Sequence, residues 1–123
     1  GHWRSDSTGL LRHCASRRSR GAPIVRLLAP EPRDCIVLKP RHSGFYATPL
    51  EALLEQFGAR TLILTGVSSH QCILFTANDA YVRGYKLRVP ADCVASPAVS
   101  ETRFALRYFE SVLRADITPS AVR

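Results

Sequence analysis

The chain has 123 residues, 46% of them apolar and 22% charged, and its 17 basic and 10 acidic side chains leave a net charge of +7. That length suits one domain with a real core, and that composition excludes a disordered or low-complexity chain. No apolar run approaches the roughly 20 residues that a bilayer-spanning helix needs.

The charge excess is local. Residues 1–26 hold six Arg and one Asp, so +5 of the +7 sits there, concentrated in R-H-C-A-S-R-R-S-R-G. Such a tract reads first as a solvated helix end and loop. It would also suit nucleic acid or an acidic surface. No aromatic residues interleave with the arginines, as stacking on bases requires, so nucleic acid is the weakest reading. The opening G-H-W-R-S-D is neither a signal peptide nor an initiator methionine, and the chain has no Met at all. The expectation is a sequence that begins inside a longer reading frame. Cys14, Cys35, Cys72 and Cys93 show neither C-x-x-C nor zinc-type spacing with the four His. No metal ligands are assigned in this chain, no cofactor is expected, and reduced thiols in a cytoplasmic setting are the default.

In chain order, S-D-S-T-G-L-L-R-H-C (residues 5–14) reads as a short helix that Gly9 weakens. An Arg-rich loop follows to Pro23, with a short helical turn in I-V-R-L-L. Cys35–Lys39, C-I-V-L-K, is an apolar run bounded by turn residues and reads as a buried strand. Thr48-Pro49-Leu50-Glu51 predicts a helix start, with Thr48 as cap, Pro49 in the first turn and Glu51 completing a capping box. Leu50, Leu53, Leu54 and Phe57 make its apolar face, and Gly58 ends it. R-T-L-I-L-T-G is a second strand, residues 69–83 a second helix closed by Gly84, and Y-K-L-R-V-P a third strand whose alternation suggests a sheet edge. Ser100 is expected to cap a third helix with Phe104, Leu106, Tyr108, Phe109, Val112 and Leu113 on its apolar side, and A-D-I-T reads as a last short strand.

Strand and helix thus alternate. Parallel neighbours need crossover connections, so the pattern predicts an α/β fold, a three-layer Rossmann-like parallel sheet with helices on both faces. The whole chain is one domain, with residues 1–34 as Arg-rich helix and loop and 35–118 as the α/β core. Ligands of such sheets bind outside the carboxyl ends of the strands. Two chemically capable residues fall there: Lys39 at the end of the first strand, and Cys72 in T-G-V-S-S-H-Q-C after the second. Adjacent strands lie about 4.8 Å apart, within a lysine's reach. A helix N-terminus and an ammonium both favour thiolate over thiol, and free N–H groups in the turn suit an oxyanion. The alternative is a solvated Lys39 and a Cys72 that merely fills core.

The segments K-P-R-H-S-G-F, L-I-L-T-G-V-S-S-H-Q-C-I-L-F-T-A-N-D-A-Y-V-R-G-Y and V-P-A-D-C-V-A-S resemble the isochorismatase-like cysteine hydrolases, which include nicotinamidases and N-carbamoylsarcosine amidohydrolases. The match covers about residues 35–113, and G-V-x-x-x-x-C after an apolar strand is its most specific part. The resemblance implies that Cys72 is the nucleophile and Lys39 the lysine of an Asp–Lys–Cys triad. It also implies a cis peptide at Val67–Ser68, with the N–H groups of Ser68 and Cys72 forming an oxyanion hole. Phe45 and His42 are then candidates for lining the substrate pocket, Phe45 alternatively as a packed aromatic. Homo-oligomers, common in the family, are the expected assembly.

The family's aspartate is the departure. Nothing upstream of Lys39 matches its D-x-Q or D-x-x-N-D-F-like segment: Asp6 lies in a polar context, and Asp34 precedes the first strand. The family's first strands therefore read as missing, and the chain as N-terminally truncated. Asp92 reads as a structural hydrogen-bond acceptor, Asp79 lies about 10 Å down the helix from Cys72, and His70, two residues before Cys72, does not face it. The base is therefore expected to be absent from this chain; His42 is the one histidine suited to replace it, which makes a Cys–His hydrolase the second choice. The leading reading is a hydrolase that attacks an amide-like carbon of a small molecule through a thioester. The alternative is a catalytically inactive remnant that serves as a binding or oligomerisation module.

Overall fold

A computed structural model describes Ser16 and residues 20–120. The helix expected over residues 5–14 lies outside them. The chain forms two compact units, 1–36 and 37–123.

In the first unit, helix α1 (Ala22–Leu27) realises the short helical turn and begins two residues before Ile24. Pro23 sits in its first turn, where the N–H that proline lacks has no helical partner anyway. Beyond α1, Asp34 closes a tight turn. Its carboxylate accepts from the Glu31 N–H at 2.7 Å, and its own N–H donates to the Glu31 carbonyl at 3.0 Å.

The second unit comprises α2 (Leu50–Gln56), β1 (Thr61–Ile63), β2 (Gly66–Val67), a π-type turn (Ser69–Ile73) that runs straight into α3 (Leu74–Val82), β3 (Lys86–Arg88), β4 (Val94–Ala95) and α4 (Val99–Ser111). The α/β class holds, and both strand pairs are parallel. β1 pairs with β3, Leu62 opposite Leu87, and β2 pairs with β4, Val67 opposite Ala95. The run R-T-L-I-L-T-G thus serves two partners in succession. The last short strand is reduced to one parallel bridge, Arg88 to Asp116.

Four expectations need correction. Cys35–Lys39 is not a strand: among the described residues no ladder bonds it, and Ile36 and Leu38 remain exposed. An apolar run becomes a strand only where another backbone pairs with it. β3 is not at an edge, since β1 flanks it on one side and the Val89 N–H donates to the Asp116 carbonyl at 2.8 Å on the other. Its alternation records one buried face, Leu87 inward and Lys86 outward, which says nothing of position within a sheet.

The other two corrections concern helix starts. The N-cap of α2 is Pro49; the Thr48 hydroxyl does accept from the Leu50 N–H at 3.2 Å, but Glu51 turns to Arg83 instead of completing a box. Ser100 lies inside α4, whose N-cap is Ala98; Glu101 reaches back to accept from the Ala98 N–H at 3.1 Å. Along α4 the buried residues are Ala105 and Phe109, spaced by four, with Leu113 buried just past its end, whereas Phe104 sits about 100° round the helix and is half exposed, as is the C-cap Val112.

Phe45, Leu62, Ala77, Ala80, Leu87, Val89, Val94, Ala105, Phe109, Leu113 and Ala115 form one core. It fixes β1, β3, α3 and α4 together. Gly58 and Gly84 close α2 and α3 alike, at φ +62° and +83°, a region costly for residues with a Cβ. After Gly58, the Ala59 N–H donates to the Leu54 carbonyl, and after Gly84 the Tyr85 N–H donates to the Ala80 carbonyl. Both helices therefore end with the expected left-handed glycine.

Candidate active site

Cys72 stands where β2 becomes a helix. The turn that carries it is wider than an α-helix: the Ile73 N–H reaches five residues back to the Ser68 carbonyl at 3.1 Å. The peptide between Val67 and Ser68 is cis. Cys72 is half-buried, and no side chain caps the turn. This leaves the sulfur at the rim of the paired strands, close to backbone N–H groups at the start of a continuous 14-residue helical segment, Ser69–Val82.

Two side chains from the preceding loop converge on it. Lys39 Nζ lies 3.4 Å from Cys72 Sγ and also donates to the Arg41 carbonyl at 3.1 Å. His42 Nδ1 lies 3.7 Å from the same sulfur, and its ring packs 5.4 Å, centroid to centroid, from Phe75. The sulfur thus has an amino group and an imidazole as its side-chain neighbours among the described residues.

Lys39 does not reach Cys72 from an adjacent strand. The loop is instead strapped along one face of α3 and the turn before it, the face of residues 72, 76, 79 and 83. The Gly44 N–H donates to Thr76 Oγ1 at 2.9 Å, and Thr76 Oγ1 donates to the Cys72 carbonyl at 2.8 Å. Ser43 Oγ donates to the Asp79 carboxylate, and the Phe45 N–H donates back to Ser43 Oγ at 3.1 Å. Arg83 then binds Asp79 Oδ1 at 3.3 Å and Glu51 Oε1 at 3.1 Å while its guanidinium lies 4.7 Å above the Phe45 ring. Gly44 fits this close approach, since a Cβ there would stand 3.2 Å from Leu50 Cδ2 and require that side chain to shift.

Of the residues singled out from sequence, Lys39, His42 and Cys72 meet at one place, and Val67–Ser68 forms the cis peptide at the head of the turn that carries Cys72. Phe45 is not among them: it is 6% exposed and packs into the core against Tyr85 under Arg83, the packed aromatic of the two readings. Asp79 is occupied by Ser43 and Arg83. Asp92 accepts from the Ser120 hydroxyl at 2.6 Å and the Ser120 N–H at 2.7 Å, and those two donors hold its carboxyl below the ordinary carboxylate value. Among the described residues no group of three or more His, Cys, Asp or Glu is placed to hold a metal.

Sequence reasoning passed over two neighbours. Phe75, three residues after Cys72 and therefore on its face, was legible from helical spacing. Ser96 was not. Its hydroxyl lies 2.5 Å from Ser69 Oγ and 2.8 Å from His70 Nδ1, and it accepts from the His70 N–H at 3.3 Å. Nothing in the local pattern of V-A-S-P announces that contact across 26 residues.

The isochorismatase domain, as a family, matches residues 1–120. The chain belongs to the isochorismatase family. The match takes in the first 34 residues as well as the 35–113 segment that carries the recognisable motifs. An uncharacterized isochorismatase family protein, YaaI of Bacillus subtilis, is 42% identical over 118 residues, which is 96% of this chain and 64% of YaaI. The ureidoacrylate amidohydrolase RutB of Methylorubrum extorquens is 43% identical over 91 residues, 72% of this chain and 36% of that protein. Among solved structures, the Staphylococcus aureus nicotinamidase SaPncA superposes with a TM-score of 0.72 at 31% identity, covering 81% of this chain and 63% of its own. The N-carbamoylsarcosine amidase of Thermoplasma acidophilum gives 0.68 at 32%, covering 76% and 53%. The chain spans less than two thirds of the length of each of these isochorismatase-family relatives.

Proposed function

We propose that this isochorismatase-family protein is a cysteine-dependent hydrolase of a small amide-like substrate, working through a thioester. The observation that carries the reading is the Lys39 ammonium 3.4 Å from a half-buried Cys72 sulfur at a helix start. Similarity to an amidohydrolase, a nicotinamidase and an N-carbamoylsarcosine amidase supports C–N bond hydrolysis as the chemistry.

In this scheme Cys72 Sγ attacks the carbonyl carbon, a C–S bond forms, and the carbonyl oxygen takes the negative charge. The N–H groups of Ser68 and Cys72 receive that oxyanion. Collapse breaks the C–N bond, and the nitrogen leaves with one proton. Water then attacks the thioester, releasing the acid and restoring the thiol. Lys39 stabilises the sulfur as thiolate before the attack and again as the thioester is hydrolysed. The proton lost by the thiol needs an acceptor. Of the two groups the described residues place at the sulfur, an ammonium has no lone pair to accept with, so in this scheme the imidazole of His42 takes the proton. The aspartate that the resemblance implies for this step has no counterpart among the described residues at the sulfur. The substrate is a small molecule, and the active assembly is a homo-oligomer, as is common in the family.

Iodoacetamide labelling at neutral pH, followed by mass spectrometry, tests the activated thiol. Cys93 is the internal control because it too is half-buried but has a carboxylate, Asp92 Oδ1 at 3.6 Å, as its neighbour. Cys72 should label faster. Equal rates at the two cysteines would remove the basis for nucleophilic catalysis.

A further inference from the structure

We infer that Ser96 is a positioning residue for acyl transfer, holding in place the turn that presents the Ser68 and Cys72 N–H groups. The inference rests on the oxyanion role proposed above for those groups.

β2 and β4 run parallel with Gly66 opposite Val94 and Val67 opposite Ala95, so Ser68 and Ser96 are the next residues out of the two strands. At that point the two chains diverge, one into the cis peptide and wide turn, the other toward α4. The Ser96 side chain bridges the divergence. Its oxygen accepts from the His70 N–H at 3.3 Å and contacts Ser69 Oγ at 2.5 Å and His70 Nδ1 at 2.8 Å. A hydroxyl has one proton to give and two lone pairs to receive with. Three partners therefore saturate it, whichever nitrogen of His70 carries the proton.

The far side of the bridge is also tied down. The Ser96 N–H donates to Thr102 Oγ1 at 3.0 Å, and Glu101, whose Oε2 lies 3.7 Å from His70 Nδ1, binds the Ala98 N–H. Ser69 is fully buried, so its hydroxyl depends on this partner rather than on solvent. Residues 69 and 70 are the two between Ser68 and Gln71, inside the span whose N–H groups must aim at one oxygen. Ser96 touches neither the sulfur nor that oxygen and acts only through the turn.

Two reactions of Cys72 separate such a role from general support of the fold. Alkylation by iodoacetamide displaces iodide at a saturated carbon and forms no oxyanion. Acylation by p-nitrophenyl acetate transfers acetyl to Sγ through a tetrahedral oxyanion and releases p-nitrophenolate. In the purified protein, Ser96→Ala should slow acylation on the order of 10- to 100-fold, somewhat less than deleting an oxyanion donor outright, while alkylation stays at the native rate. Ser96→Thr keeps the hydroxyl and should restore acylation. Native-rate acylation in Ser96→Ala, a parallel fall in both reactions, or a Ser96→Thr as slow as Ser96→Ala would each overturn the inference. If the native protein alkylates rapidly at Cys72 yet is not acylated there, the hydrolase reading fails and takes this inference with it.

Discussion

At its C-terminal end α3 closes on Gly84 in a left-handed conformation, with Arg83 bound to Asp79 and Glu51 and laid over Phe45. At its N-terminal end the same helical segment begins in a widened turn after a cis peptide, with no side-chain cap, and gathers Lys39, His42 and Cys72. One end closes in regular helix geometry, and the other opens in an irregular turn that carries the Cys72 sulfur. The loop after Lys39 joins the two, because Ser43, Gly44 and Phe45 grip the regular part of α3 and so deliver Lys39 and His42 to the irregular part. The lesson is that the grip of this loop on the regular part of α3 supplies position at the open end.

If that division holds, substitutions at the open end should abolish chemistry and spare stability, and those at the closed end the reverse. Cys72→Ala is the extreme case: hydrolysis of any amide or ester substrate should fall by about 10⁴-fold or more, with an unchanged melting temperature. His42→Gln, which removes the proposed proton acceptor, should lower turnover about 100-fold. If turnover is unaffected, the thiol's proton goes elsewhere. Lys39→Met should slow iodoacetamide labelling of Cys72 by roughly two- to tenfold, a modest figure because the ammonium is exposed.

At the closed end, Gly84→Ala places a Cβ at φ +83° with no neighbour within 4 Å, so the cost is backbone strain alone. Thermal unfolding should register a loss of about 1–2 kcal/mol, with Cys72 labelling unchanged. Ser43→Ala joins the two ends: it should cost about 1 kcal/mol and also slow labelling, since the strap that carries Lys39 loosens. The smallest effect belongs to Asp92. Its Ser120 hydrogen bonds lower its pKa, so their contribution is fully present above about pH 4 and is lost as pH falls through the lowered value. The stability gap between native protein and Asp92→Asn should therefore be measurable at pH 7 and close in acid.

Much of this was legible in the order of residues. Gly58 and Gly84 marked two helix ends because only a residue without a Cβ takes that conformation cheaply. T-G-V-S-S-H-Q-C marked the strand-to-helix turn, and K-P-R-H-S-G-F together with it carried the family. The site residues Lys39, Val67, Ser68 and Cys72 came from those motifs, and His42 from its place just after Lys39.

The remainder depended on partners distant in the chain. Cys35–Lys39 has the composition of a strand but no backbone to pair with among the described residues, and β3 has the pattern of an edge but neighbours on both sides. Phe45 had equal claims as a pocket wall and as core until Arg83 and Tyr85 closed over it. Lys39 reaches the sulfur through a strap on α3, and Ser96 reaches the turn across a strand pair. Local sequence sets what each residue is able to do, through conformational preference and chemistry. Which donor meets which acceptor is decided only when burial forces every polar group to find a partner, and that choice belongs to the folded whole.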